Sequence, residues 1–348
     1  MKILHVLYSD RFSGAENVVC QIVGIFRNTE NVEMVYCSRD GQIREALEER
    51  NVAFAPVSEL SVAELKRVIQ EQKPDVVHAH DMRASFVAAM ACGKVPLISH
   101  VHNNNFDSRG ISPKSIAYLF AAAKAKHIFW VSQSSFEGYY FHQLFGKKSS
   151  VLVNIIDMEA LNIKKNQDQN EYHYDVAYVG RLSHEKNPLR LMDVCANVLK
   201  RLPDVKIAVV GTGELENETK LRCEELGIQS NVHFLGFQSN PLKIMHQAKV
   251  MVMTSNTEGI PMCALEAMAL GVPIVSTPVG GMVNLVDDDD NGYLRNDADE
   301  LAERIAAIID TPELYEKLSA NAKARAERIN DVSAYRNNLY QKYLDSVR

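Results

Sequence analysis

Short apolar runs rich in valine and isoleucine alternate with amphipathic helical segments along this chain, and the pattern occurs twice. The first half contains KILHVLY, VEMVYCS, DVVHAHD, PLISHVH, HIFWVSQ and SSVLVNIID, and the second contains YDVAYVG, VKIAVVG, NVHFLGF, KVMVMTS and VPIVST. Strands that alternate with helices predict parallel sheets joined by right-handed crossovers. Each half is therefore expected to form a doubly wound α/β domain.

A polar segment without a strand pattern, Asn162–His173, separates the two halves and is predicted to be a linker. We therefore place one Rossmann-like domain at 1–165, a second at 166–330 and a C-terminal helix at 331–348. The chain of 348 residues is long enough for two domains. The charged helical segment from Leu318 onward can pack against either of them.

Charge and cysteine usage exclude several classes of protein. The formal net charge of −6 argues against a general nucleic-acid partner. The six cysteines form no CxxC pair, which is typical of buried thiols in a reducing cytosol and argues against structural zinc. No stretch of about 18 apolar residues is present, and Met1 leads directly into a strand pattern, so we expect a cytoplasmic protein without a membrane span.

Two glycine-containing loops follow predicted strands, where open α/β sheets bind ligands. Gly14, in YSDRFSGAENVV, lets the backbone approach a ligand as a helix begins, although a tight turn alone would also favour glycine. Gly211 and Gly213, in VVGTGELE, resemble half of a dinucleotide fingerprint. The third glycine is missing, which argues against a simple NAD domain.

The loop VGRLSHEKN carries two cations five residues apart. Arg181 offers a planar fork for phosphate oxygens and Lys186 a point charge, so both can converge on one anion. A solvated basic turn is the structural alternative. A helix predicted to start near Pro261 adds free N–H groups and a positive dipole end, which together indicate a diphosphate site.

The stretch EGIPMCALEAMALGVPIV contains two glutamates around that helix start. Glu258 lies just before the helix, and Glu266 lies about five residues beyond Pro261, which corresponds to about 7 Å along a helix axis. A capping glutamate and an unrelated surface glutamate would be the structural explanation. Alternatively, one glutamate reaches a ligand at the helix start and the other faces along the flank of the helix.

The stretches SGAENVV, VSQSSFE, VGRLSHEKN, VVGTGELE, VHFLGF and EGIPMCALEAMALGVPIVSTPVGG together resemble glycosyltransferase family 4 over nearly the whole chain. The resemblance implies a GT-B fold, with two Rossmann-like domains facing each other across a cleft, and a retaining enzyme that uses a nucleotide-diphosphate sugar. It implies that Glu258 binds the donor sugar and Glu266 the ribose. The predicted donor site further includes Gly14, Arg181, Lys186, Gly211, Gly213, Phe237, Gly259, Ile260 and Pro261.

The same resemblance implies a cleft histidine from the first domain, which also faces the acceptor. Four candidates lie at two strand ends: His78 and His80 in DVVHAHD, and His100 and His102 in PLISHVH. Strand alternation puts His100 and His102 on one face. His102 fits the family pattern best and His80 second, and a histidine satisfied in the core is the alternative.

The implied reaction is transfer of a hexosyl or N-acetylhexosaminyl group from a UDP- or GDP-sugar to a glycan or an undecaprenyl-diphosphate-linked acceptor in bacterial surface polysaccharide synthesis. Arg181, Lys186 and the helix start near Ile260 would stabilise the leaving diphosphate, with His102 and Glu258 completing the catalytic set. No cofactor or metal is expected, because the cleft loops contain no Asp-x-Asp and Asp287–Asp290 lie in a later turn.

Two other functions fit the same pattern. One is a sugar-nucleotide epimerase of the same architecture, which would convert the donor with no acceptor present. The other is a non-catalytic partner subunit, whose donor pocket would be degenerate. Arg181, Lys186, Glu258 and Glu266 are all intact in this chain, which favours the enzyme.

The segment Ser134–Ser150 places aromatic and apolar side chains beside Lys147 and Lys148. An interfacial helix needs such a face, so we expect peripheral contact with the inner face of the cell membrane. Aromatic side chains directed into the domain core are the alternative.

Overall fold

The computed structural model describes residues 1–102 and 108–348, and these divide into two compact units. Unit 1 comprises Met1–Ile155 and Asp331–Arg348, and unit 2 comprises Ile156–Asn330. Each unit contains one parallel β-sheet with helices, so the predicted α/β fold class is confirmed.

Unit 1 is built on strands that follow the predicted apolar runs. They are β1 (Lys2–Val6), β2 (Glu33–Cys37), β3 (Ala53–Phe54), β4 (Val76–His80), β5 (Leu97–Val101), β6 (His127–Trp130) and β7 (Ser149–Val151). Within the described residues the sheet order is β3-β2-β1-β4-β5-β6-β7, with parallel pairing throughout. The central strands are buried on both faces, which explains their continuous apolar pattern.

The helices of unit 1 connect these strands, and the last one returns from the end of the chain. They are α1 (Gly14–Phe26), α2 (Ile43–Glu48), α3 (Val62–Gln72), α4 (Asp81–Ala91), α5 (Pro113–Lys124) and α6 (Gln133–Glu137), with a 3-10 helix at His142–Lys148. The C-terminal helix is numbered below in chain order.

Unit 2 repeats the scheme. Its strands are β8 (Val176–Val179), β9 (Ile207–Val210), β10 (Val232–Gly236), β11 (Val250–Met253), β12 (Ile274–Ser276) and β13 (Gly292–Leu294), in the order β10-β9-β8-β11-β12-β13. Its helices are α7 (Met158–Gln167), α8 (Pro188–Arg201), α9 (Glu216–Glu225), α10 (Leu242–Gln247), α11 (Met262–Ala269), α12 (Met282–Leu285), α13 (Ala298–Asp310) and α14 (Pro312–Ile329). The final helix α15 (Val332–Val347) belongs to unit 1.

The structure corrects the predicted domain boundaries. The division falls between Ile155 and Ile156 rather than at 165/166, and α7 occupies much of the predicted linker. α7 packs on α10, and the Asn240 side-chain amide donates to the carbonyl of Lys164 at 2.8 Å. The predicted C-terminal helix of the tail 331–348 is α15, which belongs to unit 1 and packs on α1 and β4.

The predicted interfacial segment Ser134–Ser150 is not one amphipathic helix. It consists of α6 and the 3-10 helix, and Tyr139 and Phe145 are buried in the core of unit 1. Lys148 donates from Nζ to the carbonyls of Ala123 and Ala125 at the end of α5, at 2.8 Å each. Most of this aromatic face is therefore core. Among the described residues, no helix combines the length and apolar character needed to cross a membrane.

Candidate functional site

The sheet order of unit 2 reverses between β8 and β11. The chain runs from β8 outward to β9 and β10 and then returns to β11 beside β8. Loops that leave neighbouring strands in opposite directions open a crevice at the carboxyl ends, where ligands of open α/β sheets bind. The loops after β8 and β11 carry Arg181, Lys186 and Glu258.

Lys186 and Glu258 join these two loops directly. The Lys186 Nζ lies 2.6 Å from Glu258 Oε1, and the Ser255 hydroxyl donates to the same oxygen at 2.5 Å. The Glu258 side chain is 6% exposed and that of Lys186 22%. Burial alone would lower the pKa of Lys186, but the Glu258 carboxylate outweighs it, so the pKa lies above its ordinary value. Among the described residues, no hydrogen bond ends on Glu258 Oε2.

Backbone contacts hold the two loops in register. The Asn256 N–H donates to the carbonyl of Glu185 at 2.7 Å, and its side-chain amide donates to the carbonyl of His184 at 2.8 Å. The Thr254 hydroxyl donates to the carbonyl of Asn187, whose φ of 49° turns the chain into α8. The position of Lys186 is thus fixed by residues that follow a strand about 70 positions later, which sequence reasoning did not identify.

Arg181 is exposed at the start of the same loop. Throughout the described part of the chain, no carboxylate lies within ion-pair distance of its guanidinium. Its carbonyl accepts a hydrogen bond from the Tyr178 hydroxyl at 3.0 Å, which anchors the backbone below the side chain. The arginine therefore presents an uncompensated charge beside the Lys186–Glu258 pair.

Helix α11 begins immediately after the loop that follows β11, with Pro261 as its N-cap residue. Pro261 has no side-chain acceptor for the first amides of the helix, which have no intrahelical partner by geometry. Glu266 is the fifth residue of α11 and is half-buried. Burial is the main reason that the pKa of the Cys263 thiol is raised to about 12. The charge of Lys186 lowers this pKa, and those of Glu258 and Glu266 raise it. The thiol is therefore neutral, and it interacts electrostatically with all three of these candidate donor-binding side chains.

Gly211 and Gly213 have a structural role in this arrangement. A Cβ on Gly211 would lie 1.9 Å from the carbonyl oxygen of Gly180, and one on Gly213 would lie 2.2 Å from that of Leu182. These glycines let the loop after β9 pack on the backbone next to Arg181. Backbone packing thus accounts for glycine at both positions, and their contact with the donor stays a prediction.

Gly280 and Gly281 play the same part on the other side and were not predicted as site residues. A Cβ on Gly280 would lie 1.8 Å from the carbonyl oxygen of Glu258, and one on Gly281 would lie 2.0 Å from that of Gly259. The loop after β12 thereby supports the loop that carries Glu258. The sequence signal was the glycine pair in PVGG, which follows the strand pattern VPIVST.

Two further predicted donor residues are exposed. Phe237 directly follows β10 and is 52% exposed, so its ring is available at the carboxyl edge of the unit 2 sheet. Gly14 is the first residue of α1 in unit 1, and a Cβ there would meet no atom within 4 Å. Its φ is not among the positive values. The turn itself therefore does not require glycine, and the close approach of a ligand at Gly14 stays a prediction. Ile260, by contrast, is buried.

Unit 1 gathers all four predicted histidines on one face of its sheet, together with His5, which sequence reasoning missed. The register pairs His5 with His78 and His80 with His100. His5 Nδ1 lies 3.0 Å from His80 Nε2, and His80 Nδ1 lies 2.8 Å from His102 Nε2. The two leading candidates, His80 and His102, are thus neighbours in one hydrogen-bonded chain that ends at the carboxyl edge of the sheet.

Burial keeps these rings neutral. It lowers the pKa of His5 and His102 to about 3 and brings those of His78, His80 and His100 well below the ordinary value. Within residues 1–102 and 108–348, both nitrogens of His100 and Nδ1 of His102 have no hydrogen-bond partner. One nitrogen from each ring of His5, His78 and His80, or of His80, His100 and His102, lies within 4.8 Å of the others, a spacing that could hold a metal ion. Among the described residues, neither group includes a carboxylate to offset a buried dication. Both nitrogens of His80 are engaged with other rings.

Two protein families match consecutive parts of the chain. Residues 12–160 match the family described as Glycosyltransferase Family 4, and residues 160–325 match Glycosyl transferases group 1. The two matches together run from residue 12 to residue 325.

Among curated proteins, the chain is similar to an Escherichia coli UDP-Gal:alpha-D-GlcNAc-diphosphoundecaprenol alpha-1,3-galactosyltransferase, with 24% identity over 89% of this chain and 88% of the relative. It is 28% identical to a Campylobacter jejuni alpha-1,4-N-acetyl-D-galactosaminyltransferase named for an undecaprenol-diphosphate-linked glycan, over 76% of this chain and 73% of the relative. An uncharacterized glycosyltransferase of Methanocaldococcus jannaschii is 27% identical over 61% of this chain, and the match spans 57% of its length.

Solved structures share the fold. HepE of Anabaena in complex with UDP-glucose has a TM-score of 0.85 at 24% identity, covering 99% of this chain and all of that one. Staphylococcus aureus TarM, in a complex that includes UDP, has a TM-score of 0.80 at 13% identity, covering 100% of this chain and 99% of that one. At these identities the likeness concerns the fold.

Proposed function

We propose that this chain, a glycosyltransferase of the family 4 type by its two consecutive matches, transfers a hexosyl or N-acetylhexosaminyl group from a UDP-sugar to a glycan on undecaprenyl diphosphate. The transfer proceeds with retention at the anomeric carbon and without a metal ion. The names of the E. coli and C. jejuni relatives support a lipid-diphosphate acceptor. The UDP-glucose complex of HepE supports UDP as the nucleotide.

The Lys186–Glu258 pair at the strand-order reversal of unit 2 is the observation that carries this proposal. It puts a cation and an acceptor group side by side at the position where an open α/β sheet binds its ligand. The phosphate oxygens of the donor accept hydrogen bonds from the Lys186 ammonium, and the sugar hydroxyls donate hydrogen bonds to the Glu258 carboxylate. The donor therefore substitutes its own polar groups for the internal ion pair.

Transfer places negative charge on the leaving diphosphate and oxocarbenium character on the anomeric carbon. The leaving diphosphate is stabilised by Arg181, Lys186 and the first amides of α11. Catalysis therefore consists of positioning and electrostatic stabilisation, with no proton transfer to the leaving group. Glu266 accepts hydrogen bonds from the ribose, and the exposed ring of Phe237 offers a face to the base. The resemblance to the family assigns His102 of unit 1, a neutral imidazole, to the same reaction.

The experiment incubates the protein with UDP-sugars and a short-chain GlcNAc-diphosphate-lipid, in EDTA and in magnesium. From an α-linked donor we expect transfer at equal rates in both buffers. We also expect an α-anomeric product, identified by NMR. Rates that fall to background in EDTA and return with magnesium would contradict metal independence, and a β-linked product would contradict retention. Conversion of the UDP-sugar with no acceptor present would favour the epimerase.

A further inference from the structure

The sheet of unit 1 also reverses its strand order, and the reversal lies between β1 and β4. The chain runs from β1 to β2 and β3, then returns to β4 on the other side of β1. The same topology in unit 2 holds the Lys186–Glu258 pair. A crevice for a ligand is therefore expected after β1 and β4 as well.

Three side chains meet at this position, and we call them the arginine–tyrosine cluster: Tyr8, Arg39 and Arg83. Tyr8 lies two residues after β1, Arg39 two after β2, and Arg83 in the first turn of α4. The guanidinium carbon of Arg83 is 3.5 Å from the centroid of the Tyr8 ring, and that of Arg39 is 4.8 Å from it. The Tyr8–Arg83 contact joins the two elements that flank the reversal.

The charges of the cluster do not cancel. Asp10 Oδ1 lies 3.2 Å from a terminal nitrogen of Arg39, and Asp81 Oδ1 accepts from the backbone N–H of His102 at 3.1 Å. Arg39 Nε is buried and has no hydrogen-bond partner among the described residues. Over residues 1–102 and 108–348, no carboxylate lies within ion-pair distance of Arg83, which is exposed. One guanidinium is thus held over a ring with its N–H groups uncommitted.

A guanidinium fixed in this way suits an anion with paired oxygens. Its planar fork binds phosphate oxygens bidentately, and stacking on an aromatic ring leaves the N–H edge open. Arg39 adds a second fork from the neighbouring strand. The chemistry indicated is a phosphate or diphosphate group, and the donor diphosphate already has Arg181 and Lys186 in unit 2.

We propose that the arginine–tyrosine cluster is the subsite for the diphosphate of the lipid-linked acceptor. This assignment rests on the proposed function, because it takes its ligand from the acceptor class. It makes Arg83 the residue by which the enzyme distinguishes a glycan on a lipid diphosphate from the same glycan on an uncharged carrier.

The test compares two acceptors that share the sugar: a GlcNAc-diphosphate-lipid with a short polyprenyl chain and an alkyl glycoside of GlcNAc. Arg83→Gln should raise KM for the diphosphate acceptor at least tenfold, which is the loss of one charge-assisted contact, about 1.4 kcal/mol. Its kcat and donor KM should stay within twofold of wild type. Arg83→Gln and wild type should use the alkyl glycoside equally well. Arg67→Gln on α3 removes an equal charge away from the cluster and serves as the control.

Equal KM changes on both acceptors, or no change on either, would overturn the proposal. Calorimetric titration of farnesyl diphosphate, inorganic pyrophosphate and UDP separates the sources of the anion. Farnesyl diphosphate should bind wild type at least tenfold more tightly than Arg83→Gln, and UDP should bind both equally. A matching loss of UDP affinity would assign the cluster to the donor and overturn the proposal. If wild type transfers no sugar to either acceptor, the proposed function fails, and the farnesyl diphosphate titration still decides whether the cluster binds a lipid diphosphate.

Discussion

Glu258 and Glu266 occupy unequal surroundings, which predicts different effects of their removal. Glu258 is buried and bonded to Lys186 and Ser255, whereas Glu266 is half-buried in the second turn of α11. If Glu266 binds the ribose, Glu266→Gln should weaken UDP and UDP-sugar alike, by about tenfold. Glu258→Gln should weaken only the UDP-sugar, because UDP has no sugar hydroxyls. Calorimetric titration of both ligands measures this.

Glutamine keeps the size of each side chain and an acceptor oxygen, so the comparison isolates the charge. Glu214→Gln, in the loop after β9, is a suitable control because it removes an equal charge from the same unit. The assignment is wrong if both variants lose the same affinity for both ligands.

At the scale of single elements, α5 is a better candidate for membrane contact than the segment Ser134–Ser150. Ile116, Phe120 and Lys124 follow at intervals of four along this helix and are exposed, the first two by 51% and 47%. Apolar side chains followed by a lysine on one face suit an interfacial helix. We expect co-sedimentation with vesicles of anionic lipid at low salt, and release at high salt because the lysine contribution is screened.

The double variant Ile116→Ser, Phe120→Ser should stay in the supernatant. The control Leu221→Ser changes a side chain on α9 of unit 2 that is 59% exposed, and should leave binding unchanged. A double variant that pellets like wild type would show that α5 does not carry the contact. Lys148→Glu is unsuitable here, because Lys148 caps the end of α5.

The strands β1, β4 and β5 carry buried neutral histidines that couple stability to pH. Burial lowers their pKa in the folded chain, to about 3 for His5 and His102, whereas an unfolded chain takes up protons near pH 6.5. The contribution of these neutral histidines to the stability of unit 1 is thus fully present above pH 6.5, and it is lost as pH falls from there toward 3. Well below pH 6.5, each such histidine lowers the free energy of unfolding by about 1.4 kcal/mol per pH unit.

Urea unfolding at pH 7.5, 6.5 and 5.5, followed by the fluorescence of Trp130, the single tryptophan, measures this in unit 1. His100→Leu should make the dependence less steep by about one proton, because burial keeps the pKa of His100 well below its ordinary value in the folded chain. His184→Gln, at an exposed position in unit 2, should not change it. Equal stability at pH 7.5 and 5.5 would contradict this account.

At the scale of the whole molecule, the end of the chain completes the fold of its beginning. Tyr343 of α15 is fully buried and lies 2.8 Å from His78 Nδ1 through its hydroxyl. Tyr343→Phe leaves that nitrogen without its partner, so the free energy of unfolding of unit 1 should fall by about 1–3 kcal/mol. Urea titration at pH 7.5, read from Trp130, gives the difference.

Tyr340→Phe is the matched control, because it removes a hydroxyl from the same helix for which the described residues show no hydrogen bond. Equal midpoints for the two variants would mean that the Tyr343 hydroxyl does not stabilise unit 1. Deletion of Asp331–Arg348 should lower the midpoint further, since Leu339 and Tyr343 lose their burial.

Much of the local structure could be predicted from the sequence because it depends on short-range periodicity. The apolar runs correspond to strands, Gly271 lies just past α11 with a φ of 74°, and parallel pairing follows from the alternation of strands and helices. The strands β3 and β13 were missed, because β3 has only two residues and β13 lies in the polar stretch DDDDNGYLRN.

The chain by itself thus determined two doubly wound sheets, the loops that bear charge and the two glutamates flanking a helix. Tertiary structure alone decided which distant residues meet: Lys186 with Glu258, His5 with His80, Tyr8 with Arg83, and α15 with unit 1. Those contacts depend on sheet order and register, which bring strand ends together regardless of their separation in sequence. Periodicity within a segment does not depend on the order of strands in the sheet. The sequence therefore identified the candidate residues but not the residues that they contact.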